Sequence, residues 1–75
     1  MPELRQTGIA AIGQAARIEG YALVGVATWP AEDADTARRA WDALPASFGM
    51  VILTPAAAAA IGEHRDDRLT TVLPA

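Results

Sequence analysis

Apolar residues along this chain fall into short runs that alternate with helix-favouring segments. Gly8–Gly13 (GIAAIG) is an apolar run bounded by glycines and too short for a buried helix, so it predicts a first strand that ends in a tight turn. Phe48–Thr54 (FGMVILT) lacks polar alternation, as is typical of a parallel strand covered on both faces. Thr54 can cap a helix whose first turn holds Pro55. The pattern therefore predicts a buried strand that passes directly into a helix.

Two further apolar segments end at prolines. Val26–Trp29 is followed by Pro30, and Thr70–Leu73 is followed by Pro74. Because proline donates no hydrogen bond to a sheet ladder, we predict that both segments are edge strands.

The region between Pro30 and Pro45 has the clearest helical periodicity. Its apolar stripe consists of Ala34, Ala37, Trp41 and Leu44. Carboxylates at Glu32, Asp33 and Asp35 lie at the helix start, where they cap free amides and complement the helix dipole. On the opposite face the spacing predicts i,i+4 ion pairs of Asp35 with Arg39 and of Arg38 with Asp42.

The remaining segments complete an alternation of strands and helices. A third helix is predicted from Pro55 to about His64, weakened at Gly62 by about 1 kcal/mol relative to alanine. Tyr21–Thr28 is ambiguous, because its apolar run fits either a strand or the end of a helix. Four strands alternating with three helices predict an α/β domain with a parallel sheet and right-handed crossovers.

Composition limits the classes of function. The 75 residues predict one domain, residues 1–75, with residues 1–7 as a mobile N-terminal arm. No cysteine is present, which excludes disulfides and thiolate metal sites. The net charge of −3 and the scattered arginines disfavour nucleic acid. The absence of cysteine also fits a reducing, cytoplasmic setting, which we expect for this protein. No apolar stretch approaches the roughly 20 residues of a membrane span.

Candidate chemistry is sparse. Gly13 lies at a strand-to-helix junction but belongs to no phosphate-binding motif, and His64 and Ser47 are the only residues of their types. We therefore predict no catalytic residue, no cofactor and no metal site. Trp29 is the candidate partner contact, because aromatic side chains are enriched at interface centres.

Taken together, the segments resemble the globular domain of the F subunit family of the V/A-type rotary ATPases. Ile9–Gly13 is similar to that family's opening strand, and Gly20–Val26 (GYALVGV) is similar to its GFxLAGV segment, with Tyr21 in place of phenylalanine. Phe48–Thr54 resembles its GVILIT-like third strand, and Thr71–Pro74 its closing strand. The positions that carry these motifs are Gly13, Gly20, Tyr21, Leu23, Gly25, Val26 and Thr54.

The resemblance implies a three-layer, flavodoxin-like half fold with strand order 2-1-3-4. It also assigns the ambiguous segment, making residues 14–24 helical with Gly25 as the stop. Gly20 would then allow a close approach of helix and sheet, and Leu23 would pack at the helix end.

The resemblance further implies a non-catalytic component of the central stalk, peripheral to the membrane. Members of the family bind the coiled-coil D subunit of the stalk, turn inside the catalytic hexamer and help couple ATP turnover to ion transport. The chain departs from the family by a short second strand and by lacking the C-terminal helix that usually follows. A free-standing adaptor of the same fold and a small phosphate- or nucleotide-responsive domain remain as alternatives.

Overall fold

Four parallel strands form the centre of the molecule. A computed structural model describes residues 8–45, 47–62 and 69–74. The elements within these ranges are β1 Gly8–Gly13, α1 Ala15–Ile18, β2 Ala27–Pro30, α2 Ala34–Ala43, β3 Phe48–Leu53, α3 Pro55–Ile61 and β4 Leu69–Val72. A 3₁₀ helix, Glu19–Val24, continues α1. The sheet order is β2-β1-β3-β4, so the predicted fold class and strand order are confirmed.

One face of the sheet is covered by α2 and α3, and we call it the two-helix face. Most of the buried apolar residues lie there, because small alanines let two helices approach the strands closely. Trp41 is only 4% exposed, as its place on the predicted stripe required. The buried residues of this cluster are Ala10, Ile12, Ala31, Ala37, Ala40, Trp41, Leu44, Val51, Leu53, Ala57 and Ile61.

The other face, which we call the one-helix face, is covered by α1 and its 3₁₀ extension. Its buried cluster is much smaller and consists of Ala11, Ile18 and Val26, with Tyr21 and Ile52 partly buried against it. In β3, Val51 and Leu53 are fully buried, whereas Met50 and Ile52 are only half-buried. The prediction that β3 is covered on both faces is therefore wrong for the one-helix face.

The carboxyl ends of β1 and β3 meet in a close contact between Gly13 and Thr54. A Cβ atom on Gly13 would lie 2.1 Å from Thr54 Cγ2 and 2.5 Å from its Oγ1, so only glycine fits. The Thr54 side chain is fully buried, and its Oγ1 accepts a hydrogen bond from Ala57 N at 3.2 Å. The predicted cap of α3 by Thr54 is confirmed.

The first helix ends as the resemblance implied, although its second half is a 3₁₀ helix. Gly25 adopts the left-handed conformation, φ 90°, and its N–H donates to the Ala22 carbonyl at 3.2 Å. Two other expectations are wrong. An added Cβ on Gly20 would meet nothing within 4 Å, so this glycine allows no close approach to the sheet. Leu23 is 89% exposed and does not pack at the helix end.

The start of α2 is capped as predicted, but its ion pairs differ. Asp33 Oδ1 accepts a hydrogen bond from Thr36 N at 2.7 Å. Asp35 pairs with Arg38, three residues on, instead of with Arg39. Within the described ranges this is the only ion pair on α2, so the two predicted i,i+4 pairs are wrong.

The third helix is shorter than predicted. It ends at Ile61, and Gly62 is its C-cap, so the glycine terminates the helix instead of weakening its interior. His64, where the helix was expected to end, lies outside the described residues, as do residues 1–7.

The Gly13–Thr54 contact predicts a large cost for Gly13→Ala. We expect the free energy of unfolding to fall by about 1–3 kcal/mol, because the added methyl group overpacks a fully buried site. Thr54→Ser removes Cγ2 and keeps the capping hydroxyl, so the double variant should lose less than the sum of the two single variants. Urea denaturation measures each value.

Gly20→Ala is the matched control, since that site is open and its φ is not positive. We expect it to be neutral or to stabilise by up to about 1 kcal/mol. Equal effects of the two glycine substitutions would contradict the assigned contact.

Candidate functional site

The carboxyl edge of a parallel sheet is the usual place for a ligand in an α/β domain, at the point where the strand order reverses. Here that point lies between β1 and β3. A crevice of about 210 Å³ opens beside it, lined by Gln14, by Glu32 and Asp33, and by alanines of α2 and α3. Its polar groups decide whether it can hold a small molecule.

The two carboxylates of the crevice cap the starts of helices. Glu32 Oε2 accepts a hydrogen bond from Ala15 N at 2.9 Å, which caps α1 from a loop 17 residues away. Asp33 caps α2, and the hydrogen bond from the Thr36 amide lowers the pKa of its carboxyl group. Gln14 Oε1 is buried and lacks a partner among the described residues. The crevice thus presents carboxylates, which disfavour phosphate.

A wider cleft of about 480 Å³ lies between the outer sides of α2 and α3. Its lining includes Asp35, Arg38, Arg39 and Asp42, together with Ile61. Both signs of charge are mixed there, and Asp35 and Arg38 pair with each other. No group of three or more potential metal ligands exists within the described ranges.

Within the described part of the chain, no helix covers β3 and β4 on the one-helix face. Strand register places Ile9, Met50 and Leu69 side by side on this face, with Ile52 and Thr71 next along β3 and β4. Leu69 is 62% exposed and Ile9 is 36% exposed, while Met50 and Ile52 are half-buried. We call these five residues the open half-face, and it is an apolar surface without a charged side chain.

A groove of about 450 Å³ borders the open half-face along the side of α1. It is lined by Arg17, Gly20, Tyr21 and Val24, which recur at helical spacing. Arg17 Nη2 donates to the Pro74 carbonyl oxygen at 2.8 Å, so this side of α1 faces the segment that follows β4. Tyr21 and Ile52 pack against the same cluster, which joins the groove to β3.

The dimensions of this surface match one α-helix. Two neighbouring strands span about 10 Å, which is the diameter of a helix with its side chains. The four residues of β3 that pair with β4 extend about 13 Å, enough for two to three helical turns. The geometry can therefore bind a helix by its apolar stripe, with Arg17 at one end of the groove.

Trp29, the predicted partner contact, lies elsewhere. It is half-buried on the two-helix face, and its ring meets Phe48 edge to face with centroids 5.2 Å apart. This packing gives Trp29 a structural role, while its role in partner binding stays a prediction. Of the other motif positions, Gly13 and Thr54 form the contact at the strand ends, and Gly25 ends the 3₁₀ helix.

The open half-face was missed by the sequence reasoning. Right-handed crossovers in the order 2-1-3-4 place one helix on one face and two on the other, because the chain reverses direction after β2. The predicted strand order therefore already implied that one face of the sheet is covered less than the other. The sequence of β3 hides this asymmetry, because Met50–Leu53 are apolar on both faces.

Searches of protein-family models, curated proteins and solved structures for relatives of this chain found no match. Among the described residues, no helix has the length and apolar character needed to cross a membrane.

The Asp33 cap predicts a specific dependence of stability on pH. Its pKa is lowered below the ordinary value of 3.8, so its contribution is present above that pH and is lost as the pH falls through the lower, folded-state pKa. Asp33→Asn retains a capping oxygen but has no charge to lose. We expect the stability difference between wild type and variant to shrink below about pH 4, measured by urea denaturation. A difference that stays constant from about pH 6 to about pH 2.5 would contradict the cap.

Proposed function

We propose that this domain is a non-catalytic protein-binding module that takes a helical partner, as a central-stalk component of a V/A-type rotary ATPase. In that role it binds the coiled-coil D subunit inside the catalytic hexamer. It helps to couple ATP turnover to ion transport without hydrolysing ATP. The open half-face is the single observation that supports binding of a helix most directly.

In the described part of the chain, the one-helix face carries only half of a helical layer. A parallel sheet in an α/β domain normally has helices on both faces, because its strands are apolar on both sides. Beside β3 and β4, the one-helix face carries exposed Leu69 and half-buried Met50 and Ile52. A partner helix laid along these strands would supply the layer that α1 leaves incomplete.

The assignment to the stalk rests on the resemblance to the F subunit family. The order and spacing of four motifs support it, from Ile9–Gly13 to Thr71–Pro74. A free-standing adaptor would use the same surface for another helix, so the identity of the partner separates these two functions. The phosphate-responsive alternative is disfavoured by the Glu32 and Asp33 carboxylates at the crevice.

Co-expression with the coiled coil of a rotary ATPase D subunit, followed by size-exclusion chromatography, tests the proposal. We expect the two chains to co-elute as a complex. Separate elution from every D-subunit homologue tried would reject the stalk function.

A pair of adjacent substitutions locates the binding surface. Val24→Asp places a carboxylate in the groove, and we expect it to weaken partner binding at least about tenfold, as calorimetry would measure. Leu23→Asp is the matched control, because Leu23 is equally free of core packing but does not line the groove. Equal loss of affinity in both variants would place the interface elsewhere.

A further inference from the structure

Among the described residues, the outer edge of β4 has none of the features that keep edge strands from pairing. Its sequence, Leu69-Thr70-Thr71-Val72, contains no charge and no proline, and its pairing with β3 has no bulge. Leu69 is 62% exposed and Val72 is 44% exposed. Natural proteins protect such edges with charges, prolines or bulges, since a flat, uncharged edge pairs readily with another strand.

The backbone of β4 is oriented for such pairing. Leu73 N donates to Leu53 O at 2.8 Å, so the odd-numbered residues of this strand turn their backbone groups towards β3. Because N–H and C=O groups alternate in direction along a strand, Thr70 and Val72 present theirs to the outer edge. Two donors and two acceptors therefore lie on that side.

The opposite edge of the sheet is less suited. Ala31 N donates to Gly13 O at 2.7 Å, so Thr28 and Pro30 face outward on β2. Pro30 has no N–H, which leaves Thr28 as the outward donor of that strand. The outer edge of β4 is therefore better suited than that of β2 to pair with another strand.

We propose that β4 pairs antiparallel with β4 of a second copy of this chain, about a two-fold axis that passes midway between the two Thr71 residues. The axis is perpendicular to the sheet, so paired residues must point to the same face. Centring the pair on Thr71 sets Thr70 opposite the partner's Val72, and these two residues exchange their outward hydrogen bonds. Four backbone hydrogen bonds form, and two sheets of four strands become one of eight.

The side chains of β4 favour a copy of the same strand. In this register Leu69 lies opposite the partner's Leu73, and Thr71 lies opposite the partner's Thr71, all on the one-helix face. Apolar and threonine pairs of this kind stabilise antiparallel strands. The two open half-faces then lie on the same side of the joined sheet, so pairing does not block the surface proposed for a helical partner.

Charge substitution at the symmetry axis tests the pairing in the isolated protein. Sedimentation equilibrium at increasing concentration should show a monomer–dimer equilibrium for the wild type. Thr71→Lys and Thr71→Glu each place like charges opposite one another, and each should weaken dimerisation by about tenfold or more. An equimolar mixture of the two variants should restore the dimer as a heterodimer. Thr71 is exposed, so both variants should fold, as circular dichroism would verify.

Val72→Pro tests the backbone directly, because it removes an outward N–H and leaves the bonds to β3 intact. We expect it to abolish the dimer, whereas Thr28→Val on the β2 edge should leave dimerisation unchanged. A wild-type chain that is monomeric at every concentration would overturn the proposal. So would a dimer that persists in Val72→Pro, or lysine and glutamate variants that fail to recombine.

Discussion

The close contact of Gly13 with Thr54 is the constraint on which the rest of the structure depends. It fixes how near the ends of β1 and β3 approach, and Thr54 N donates to Ile12 O at 3.2 Å across the same junction. The Thr54 hydroxyl then sets the first turn of α3, while Gly13 O accepts from Ala31 N and holds the end of β2. Three strand ends and a helix start are thus joined at one point. Packing of the helical layer on the two-helix face follows from it, because α2 and α3 can bury their alanines only if these strands end in register.

The same junction explains why the usual ligand site of an α/β sheet is filled by the protein's own side chains here. A phosphate site needs free amides at a helix start, together with a glycine that gives the ligand room. At Gly13 that room is filled by the Thr54 methyl group, and Glu32 already accepts the hydrogen bond of Ala15 N at the start of α1. Side chains of the protein thus occupy the carboxyl edge apart from a small crevice flanked by carboxylates, and the exposed apolar surface of the open half-face is the better candidate for binding.

Local signals in the sequence predicted much of this fold, whereas contacts between distant segments were not predictable. Thr54 before Pro55 and Asp33 before an amphipathic run identify helix starts, because a cap and its helix are adjacent in sequence. The bond from Ala15 N to Glu32 crosses 17 residues and leaves no local pattern. Burial of β3 was overestimated for a related reason. Met50 and Ile52 are as apolar as their buried neighbours, and only the path of α1 decides that they remain half-exposed.

The uneven covering of the sheet links stability to binding. On the two-helix face the core cluster runs from Ala10 to Ile61, whereas in the described part of the one-helix face the buried cluster is only Ala11, Ile18 and Val26. A domain of this size buries about 60% of its unfolded surface, so an incomplete layer removes a large share of the available hydrophobic stabilisation. Any partner that covers Leu69 and Met50 binds the folded state alone and raises its stability by mass action. Affinity for a partner and stability of the fold therefore draw on the same apolar surface, beside β3 and β4.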